Sequence, residues 1–224
     1  MSVSEDRTVQ STPTTPAPGS GIADPAPLGL AAFALTTFLL SAKNAGWMTH
    51  ATGSSWLGFA LAYGGLAQLC AAMWGFAKKN IVAATGFGTF GAFWIGLGFW
   101  VLLVANPAVA AIKPATLAVT VSTLNHDLGW ILLGFAVFTT YVLILVTQTN
   151  TALFATFFFL WVTLIVLCIG NFNAGSALLP TTTIKIGGYL GVLTALIAWY
   201  TSAADLSTGM GGKLRIPVGP PLIK

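Results

Sequence analysis

The sequence predicts an all-α polytopic membrane protein, a bundle of six transmembrane helices. Three observations carry this. Charged residues are 6% of the chain and hydrophobic ones 56%, too few charges to cover the surface of a soluble domain of this size. Apolar runs of about 20 residues recur six times, each long enough for a hydrocarbon core of ~30 Å. Runs of that length select helices, which satisfy their backbone groups internally in lipid.

The elements follow in order. Residues 1–23 are rich in Ser, Thr and Pro, carry Glu5, Asp6 and Arg7, and read as a disordered cytoplasmic tail. They lack the apolar core of a signal peptide, so none is expected to be cut off. Asp24-Pro25-Ala26-Pro27-Leu28-Gly29-Leu30 turns this tail into the first span. Asp24 reads as an N-cap, and Pro25 and Pro27 suit a first turn whose N–H groups have no intrahelical partner. So dense a start suits a helix end that faces a protein-lined cavity, where its positive dipole is useful.

The expected spans are Pro27 to Lys43, Ser54 to Ala77, Ile81 to Val104, Leu124 to Val146, Thr151 to Gly170 and Ile184 to Ala204. Ala105 to Thr123, punctuated by Pro107 and Pro114, reads as the longest loop. Asn125-His126-Asp127 reads as the cap of the fourth span. Residues 24–204 thus form the membrane domain and 205–224 a cytoplasmic C-terminal tail. Arg7, Lys78, Lys79, Lys213, Arg215 and Lys224 fall on one side, against Lys43, Lys113 and Lys185 on the other. The positive-inside rule places both termini in the cytoplasm of a multi-pass cell-membrane protein.

Small residues recur every fourth place at Ala84, Gly88, Ala92 and Gly96, at Gly58 and Ala62 beside Ala60 and Gly64, and at Gly187, Gly191 and Ala195. Such stripes let helices approach closely in lipid, within the bundle or between protomers. Phe33-Ala34-Leu35-Thr36-Thr37 is echoed by Phe135-Ala136-Val137-Phe138-Thr139-Thr140, a faint sign of two three-helix halves.

No Asp, Glu, Lys, Arg or His lies in the middle third of any expected span. A carrier of large charged solutes keeps ionisable groups there, so a path for a small solute, crossing protonated or largely dehydrated, is favoured. The polar residues inside the spans are neutral, among them Thr36, Thr37, Tyr63 and Gln68. A threonine hydroxyl can bond back to its own helix. A glutamine amide needs a partner elsewhere, either another helix or the lining of a pore. Cys70 and Cys168 read as small buried hydrophobes. No metal cluster, nucleophile–base pair or in-membrane carboxylate supplies an enzyme, no cofactor is called for, and the scattered basic residues form no nucleic-acid patch.

The run Asp24 to Leu30 resembles the signature Asn-Pro-Ala-Pro-Leu-Gly-Leu of the acetate uptake transporter family, with Asp24 standing in place of Asn. Tyr63-Gly64-Gly65-Leu66-Ala67-Gln68, Phe93-Trp94 and Gly170-Asn171 resemble further motifs of that family, in the same order. The resemblance covers Asp24 to about Ala204. It implies a six-helix protomer with cytoplasmic ends, a homo-hexamer with a path through each protomer, and transport of acetate, in some members succinate, through a channel or together with a proton. It also implies a constriction at Phe33, Phe90 and Leu160, where Phe90 stands for the family's Tyr, and a size-setting position at Ala198. Losing that hydroxyl weighs against succinate, and a charged Asp24 weighs against anion entry. The reading is a transporter or channel for small monocarboxylates, acetate first. The competing class is a non-transporting assembly or sensor protein in the membrane.

Overall fold

A computed structural model describes residues 21–48, 54–106 and 114–223. It has six helices long and apolar enough to cross a membrane. They are α1 (Ala26–Asn44), α2 (Leu57–Ala77), α3 (Ile81–Ala105), α4 (Pro114–Val146), α5 (Thr151–Phe172) and α6 (Thr182–Gly209). The described residues contain no strand. The chain is an integral membrane protein. α1 packs on α6 and on α2, α2 on α3, and α5 between α4 and α6.

Helix ends follow local chemistry. The Asn80 side chain accepts from the Ala83 N–H at 3.0 Å, and Asn150 accepts from the Leu153 N–H at 2.9 Å, capping α3 and α5. Thr181 caps α6 by accepting from the Ile184 N–H. Lys79, at φ 58°, closes the tight α2–α3 turn. At α1 the cap position is Pro25, not Asp24. The Asp24 carboxylate still accepts from the Ala26 N–H at 3.0 Å, one residue ahead of its expected place.

The fourth helix departs most from expectation. Pro114 does not prolong a loop; it opens α4, ten residues before the expected start at Leu124. Proline breaks a helix interior but suits its first turn. Asn125 therefore lies inside α4 and caps nothing. Its Nδ2 donates instead to the carbonyls of Gly175 and Ala177 at 3.0 and 3.2 Å, tying α4 to the α5–α6 connection. His126 packs on Phe172 at the end of α5, ring centroids 5.2 Å apart. Pro107, Lys113, His50 and the tail to residue 20 lie outside the described residues.

Close helix approach rests on glycine where the backbone leaves no room for a Cβ. At Gly188 an added Cβ would collide with the Ala45 amide nitrogen, and at Gly191 with the Ser41 hydroxyl, so α6 seats directly on α1. Thr156 meets Thr201 at 3.3 Å and Thr163 meets Thr194 at 3.2 Å, joining α5 to α6 by hydroxyl pairs. The small-residue stripe of α3 divides. Ala84 is buried, whereas Ala92 and Gly96 face outward, and the close contact with α2 is made by Gly91, 3.0 Å from the Leu69 nitrogen by its added Cβ. Cys168 is buried as expected, but Cys70 is exposed on α2.

α6 runs on to Gly209, and the segment after it folds back. Ala152 N–H donates to the Val218 carbonyl at 2.9 Å, Thr151 Oγ1 to Pro220 at 2.7 Å, and the Leu222 and Ile223 N–H groups to Thr147. Tyr200 OH donates to the Pro217 carbonyl. The segment expected as a C-terminal tail is thereby a strap across the α4–α5 turn.

Candidate functional site

Two cavities enter the bundle from opposite ends. One, of about 290 Å³, is lined at its mouth by Asp24, Asn80, Asn150 and Asp205. Asp24 and Ala26 begin α1, Asn80 caps α3 and Asn150 caps α5, so three helix N-termini converge on one space. Each presents the positive end of its dipole there, with the Ala26, Ala83 and Leu153 N–H groups taken by side-chain acceptors. Ser202 Oγ donates to the Pro27 carbonyl at 2.7 Å, which clamps the end of α6 onto this start of α1. Pro25 and Pro27 themselves remove no N–H the helix needs, since both stand at its first turn.

The inner end of this cavity is formed by Phe33, Phe90, Leu160, Phe157 and Gln68. Phe90 is its centre. Its ring lies 5.6 Å from Phe33, 5.7 Å from Phe138, 6.2 Å from Phe135 and 6.4 Å from Phe93, centroid to centroid. Phe33 and Phe135, which occupy matching places in the α1–α4 echo, thus both meet the same ring. Beyond this cluster a second cavity of about 270 Å³ opens at the other end of the bundle, reaching Leu40, Leu97 and Leu167. Phe33 and Leu40, Phe90 and Leu97, and Leu160 and Leu167 are each seven residues apart. Two helical turns of α1, α3 and α5 therefore separate the cavities, a layer of about 10 Å. Its buried residues are rings, aliphatic chains and the threonines Thr36, Thr37 and Thr163, and none is charged.

The residues singled out in the sequence separate into groups. Asp24, Ala26, Phe33, Gln68, Phe90 and Leu160 line the first cavity together. Asn171 lines the second, buried, with its Nδ2 donating to the Leu167 carbonyl at 2.8 Å. Pro25, Pro27, Leu28 and Gly29 line neither. Gly29 packs under the Phe87 ring, where a Cβ would lie 2.5 Å from it, so this glycine positions α1 against α3. Thr36 donates to the Ala32 carbonyl of its own helix at 2.9 Å and packs against Gly64 of α2. Thr37 is buried, and its hydroxyl has no partner among the described residues. Tyr63 is half-buried, Ala198 is fully buried, and neither lines either of these two cavities.

Gln68 closes a wide-turned stretch of α2. Residues Ala60–Ala67 form a π-helix, and the α-helix resumes at Gln68. Such wide turns often mark functional positions because they displace side chains from the regular stripe. Gln68 is 1% exposed, and its Oε1 has no partner among the described residues. A buried amide oxygen left unpaired costs about 1–3 kcal/mol unless water or a solute meets it.

Sequence reasoning missed Asn80, Asn150, Asp205, Phe87 and Phe157. Asn80 and Asn150 did carry a signal: each stands directly before an apolar run, as Asp24 nearly does. Asp205 lay beyond the expected end of the last span, and the two phenylalanines were lost among many.

Residues 7–220 match the GPR1/FUN34/yaaH family. Over 201 residues the chain is 38% identical to Ammonia transport outward protein 2 of Saccharomyces cerevisiae, covering 90% of this chain and 67% of that protein. It is 36% identical over 199 residues to Acetate permease A of Emericella nidulans, covering 88% and 65%. The chain thus spans about two thirds of the length of these fungal relatives. The solved structure of the bacterial acetate channel SatP superposes with a TM-score of 0.74 at 27% identity, over 88% of this chain and 99% of that one. The resemblance read from Asp24 to Leu30 therefore holds, and the chain belongs to the GPR1/FUN34/yaaH family.

Proposed function

We propose that this protein moves small monocarboxylates, acetate first, across the membrane, through a path inside each protomer that joins the two cavities. The observation that carries the reading is the pairing of three helix N-termini with an uncharged barrier. The dipole ends of α1, α3 and α5 gather an anion at one mouth. The layer at Phe33, Phe90 and Leu160 then admits a small molecule shed of charge or water more readily than a hydrated ion. Gln68 offers its amide where the solute meets the constriction. Thr37, Asn171 and Ala198 set polarity and width near the path, while Thr36 and Tyr63 support α1 and α2 beside it. No in-membrane relay is called for: a proton accompanying the solute would be the substrate's own. The names of an acetate permease and an acetate channel among the similar proteins support this reading. By the count of basic residues both termini lie in the cytoplasm, and by family likeness the protomers form a homo-hexamer.

Asp24 and Asp205 on the rim favour a second reading, a path for ammonium, which the name of one relative also suggests. One assay separates them. Proteoliposomes holding the purified chain are given labelled acetate, ammonium or glycerol, with and without an inside-alkaline gradient. Acetate uptake well above the other two, and driven by the gradient, is the expected result. Equal rates for all three overturn the carboxylate reading.

A further inference from the structure

The strap after α6 leaves an apolar and basic face uncovered at the end of the bundle that holds Asp24 and Asp205. Met210 and Leu214 are each 75% exposed, Leu222 52% and Ile223 58%. Lys213 and Arg215 flank Leu214 and are exposed with it. Residues 206–224 carry Lys213, Arg215 and Lys224 and contain no Asp or Glu. Asp205, just before them, lines the cavity. The strap also lies low. Val218 and Pro220 accept from Ala152 and Thr151, so it runs level with the first turn of α5. The Tyr200 hydroxyl, about 13 Å back along α6 from Gly209, donates to Pro217. Both helices are apolar spans at that level, which places the strap at the headgroup boundary rather than in the water beyond it. Its backbone suits that boundary. Pro217, Pro220 and Pro221 have no N–H to desolvate. The N–H groups of Ile216, Leu222 and Ile223 donate to Ser207 and Thr147. Few backbone groups are therefore left to lose water on contact with lipid.

Apolar side chains alone would suit lipid or protein. The unopposed cations among them select a negative surface, and a guanidinium matches a phosphate in geometry as well as charge. Lys79, exposed in the α2–α3 turn of the same end, adds to that field. We propose that the C-terminal strap is a docking surface for the anionic phospholipid headgroups of the leaflet at this end. Lys213 and Arg215 meet lipid phosphates, and Met210, Leu214, Leu222 and Ile223 enter the boundary between headgroups and acyl chains. The strap is bonded to the α4–α5 turn, whose Asn150 lines the mouth of the first cavity. Lipid charge thereby bears on how firmly that mouth is held.

The test places the full chain in nanodiscs of phosphatidylcholine alone or with about 30% phosphatidylglycerol and follows amide exchange by mass spectrometry. Exchange over residues 211–224 should slow about threefold or more in the anionic discs, with residues 147–152 slowing in step. The difference should vanish as salt rises from about 20 to 300 mM. It should also vanish in the double variant Lys213→Gln/Arg215→Gln, whose side chains are exposed and hold up nothing in the bundle. Equal exchange in the two lipids overturns the proposal, and so does protection that survives in the double variant. Protection equal in both lipids but lost in discs holding one copy would assign the face to a second copy of this chain, and overturns the lipid docking too. The lipid and salt arms use the wild type alone, so they decide even where the variant is poorly made.

Discussion

Phe33 and Phe90 meet edge to face, ring centroids 5.6 Å apart and planes at 64°, at the inner end of the cavity that α1, α3 and α5 open toward. Edge-to-face pairs add about 0.5–1.5 kcal/mol beyond area burial, so the contact helps hold the ring cluster together. Phe33→Trp puts a larger ring into a packed cluster. Acetate uptake should fall about tenfold or more while the size-exclusion profile stays unchanged. Unchanged uptake would place the path elsewhere.

Phe90→Tyr adds a hydroxyl beside Phe33, Phe93, Phe135 and Phe138. A hydroxyl buried among rings costs about 1–3 kcal/mol unless it reaches a partner. The cavity side of Phe90 offers one, a solute carboxylate. The ratio of succinate to acetate uptake should rise about threefold or more, read by competition against labelled acetate.

Gly188 and Gly96 make a matched pair for helix packing. A Cβ at Gly188 collides with the backbone of Ala45, whereas nothing lies within 4 Å of one at Gly96. Gly188→Ala should lower stability by about 1–3 kcal/mol, seen as a clear drop in thermal midpoint. Gly96→Ala should leave it unchanged within about 0.5 kcal/mol in the monomeric bundle.

Asp24→Asn keeps an acceptor for the Ala26 N–H and removes a charge from the mouth. The KM for acetate entering from the face that bears Asp24 should fall about two- to threefold at low salt, and the difference should shrink as salt rises. An unchanged KM at low salt would mean that the carboxylate does not bear on entry.

The C-terminal strap holds the turn that carries Asn150. Removing residues 214–224 deletes the carbonyls that accept from Ala152 and Thr151 and the N–H groups that donate to Thr147. Amide exchange of residues 147–152 should speed up about tenfold or more, with α1 and α6 little changed. Exchange at the wild-type rate would show that the turn is held by its own cap alone.

Much of this was legible in the sequence. Six apolar runs and their ends at Lys43, Lys78 and Asn150 gave six spans, and the run from Asp24 to Leu30 led to Phe33. Asp24, Phe33, Gln68, Phe90 and Leu160 line one cavity, as a shared path requires. Asn125 and Pro114 misled, because a cap residue and a proline have the same local signature at a helix start as within or before a loop. Thr36 and Tyr63 misled for another reason: a polar residue in a span shows that it needs a partner, not where the partner is.

What the sequence alone determined is what depends on the chain locally. Span number and length follow from hydropathy and from the rise of a helix. Only the tertiary structure decided that the starts of α1, α3 and α5 share one cavity, that a two-turn layer of rings divides it from the other, and that the tail straps the α4–α5 turn. These spans are apolar on every side, so no polar face says which way each should turn. In lipid the choice of neighbour rests on van der Waals fit, on glycines such as Gly188 and Gly191 against α1, and that fit exists only once two helices meet.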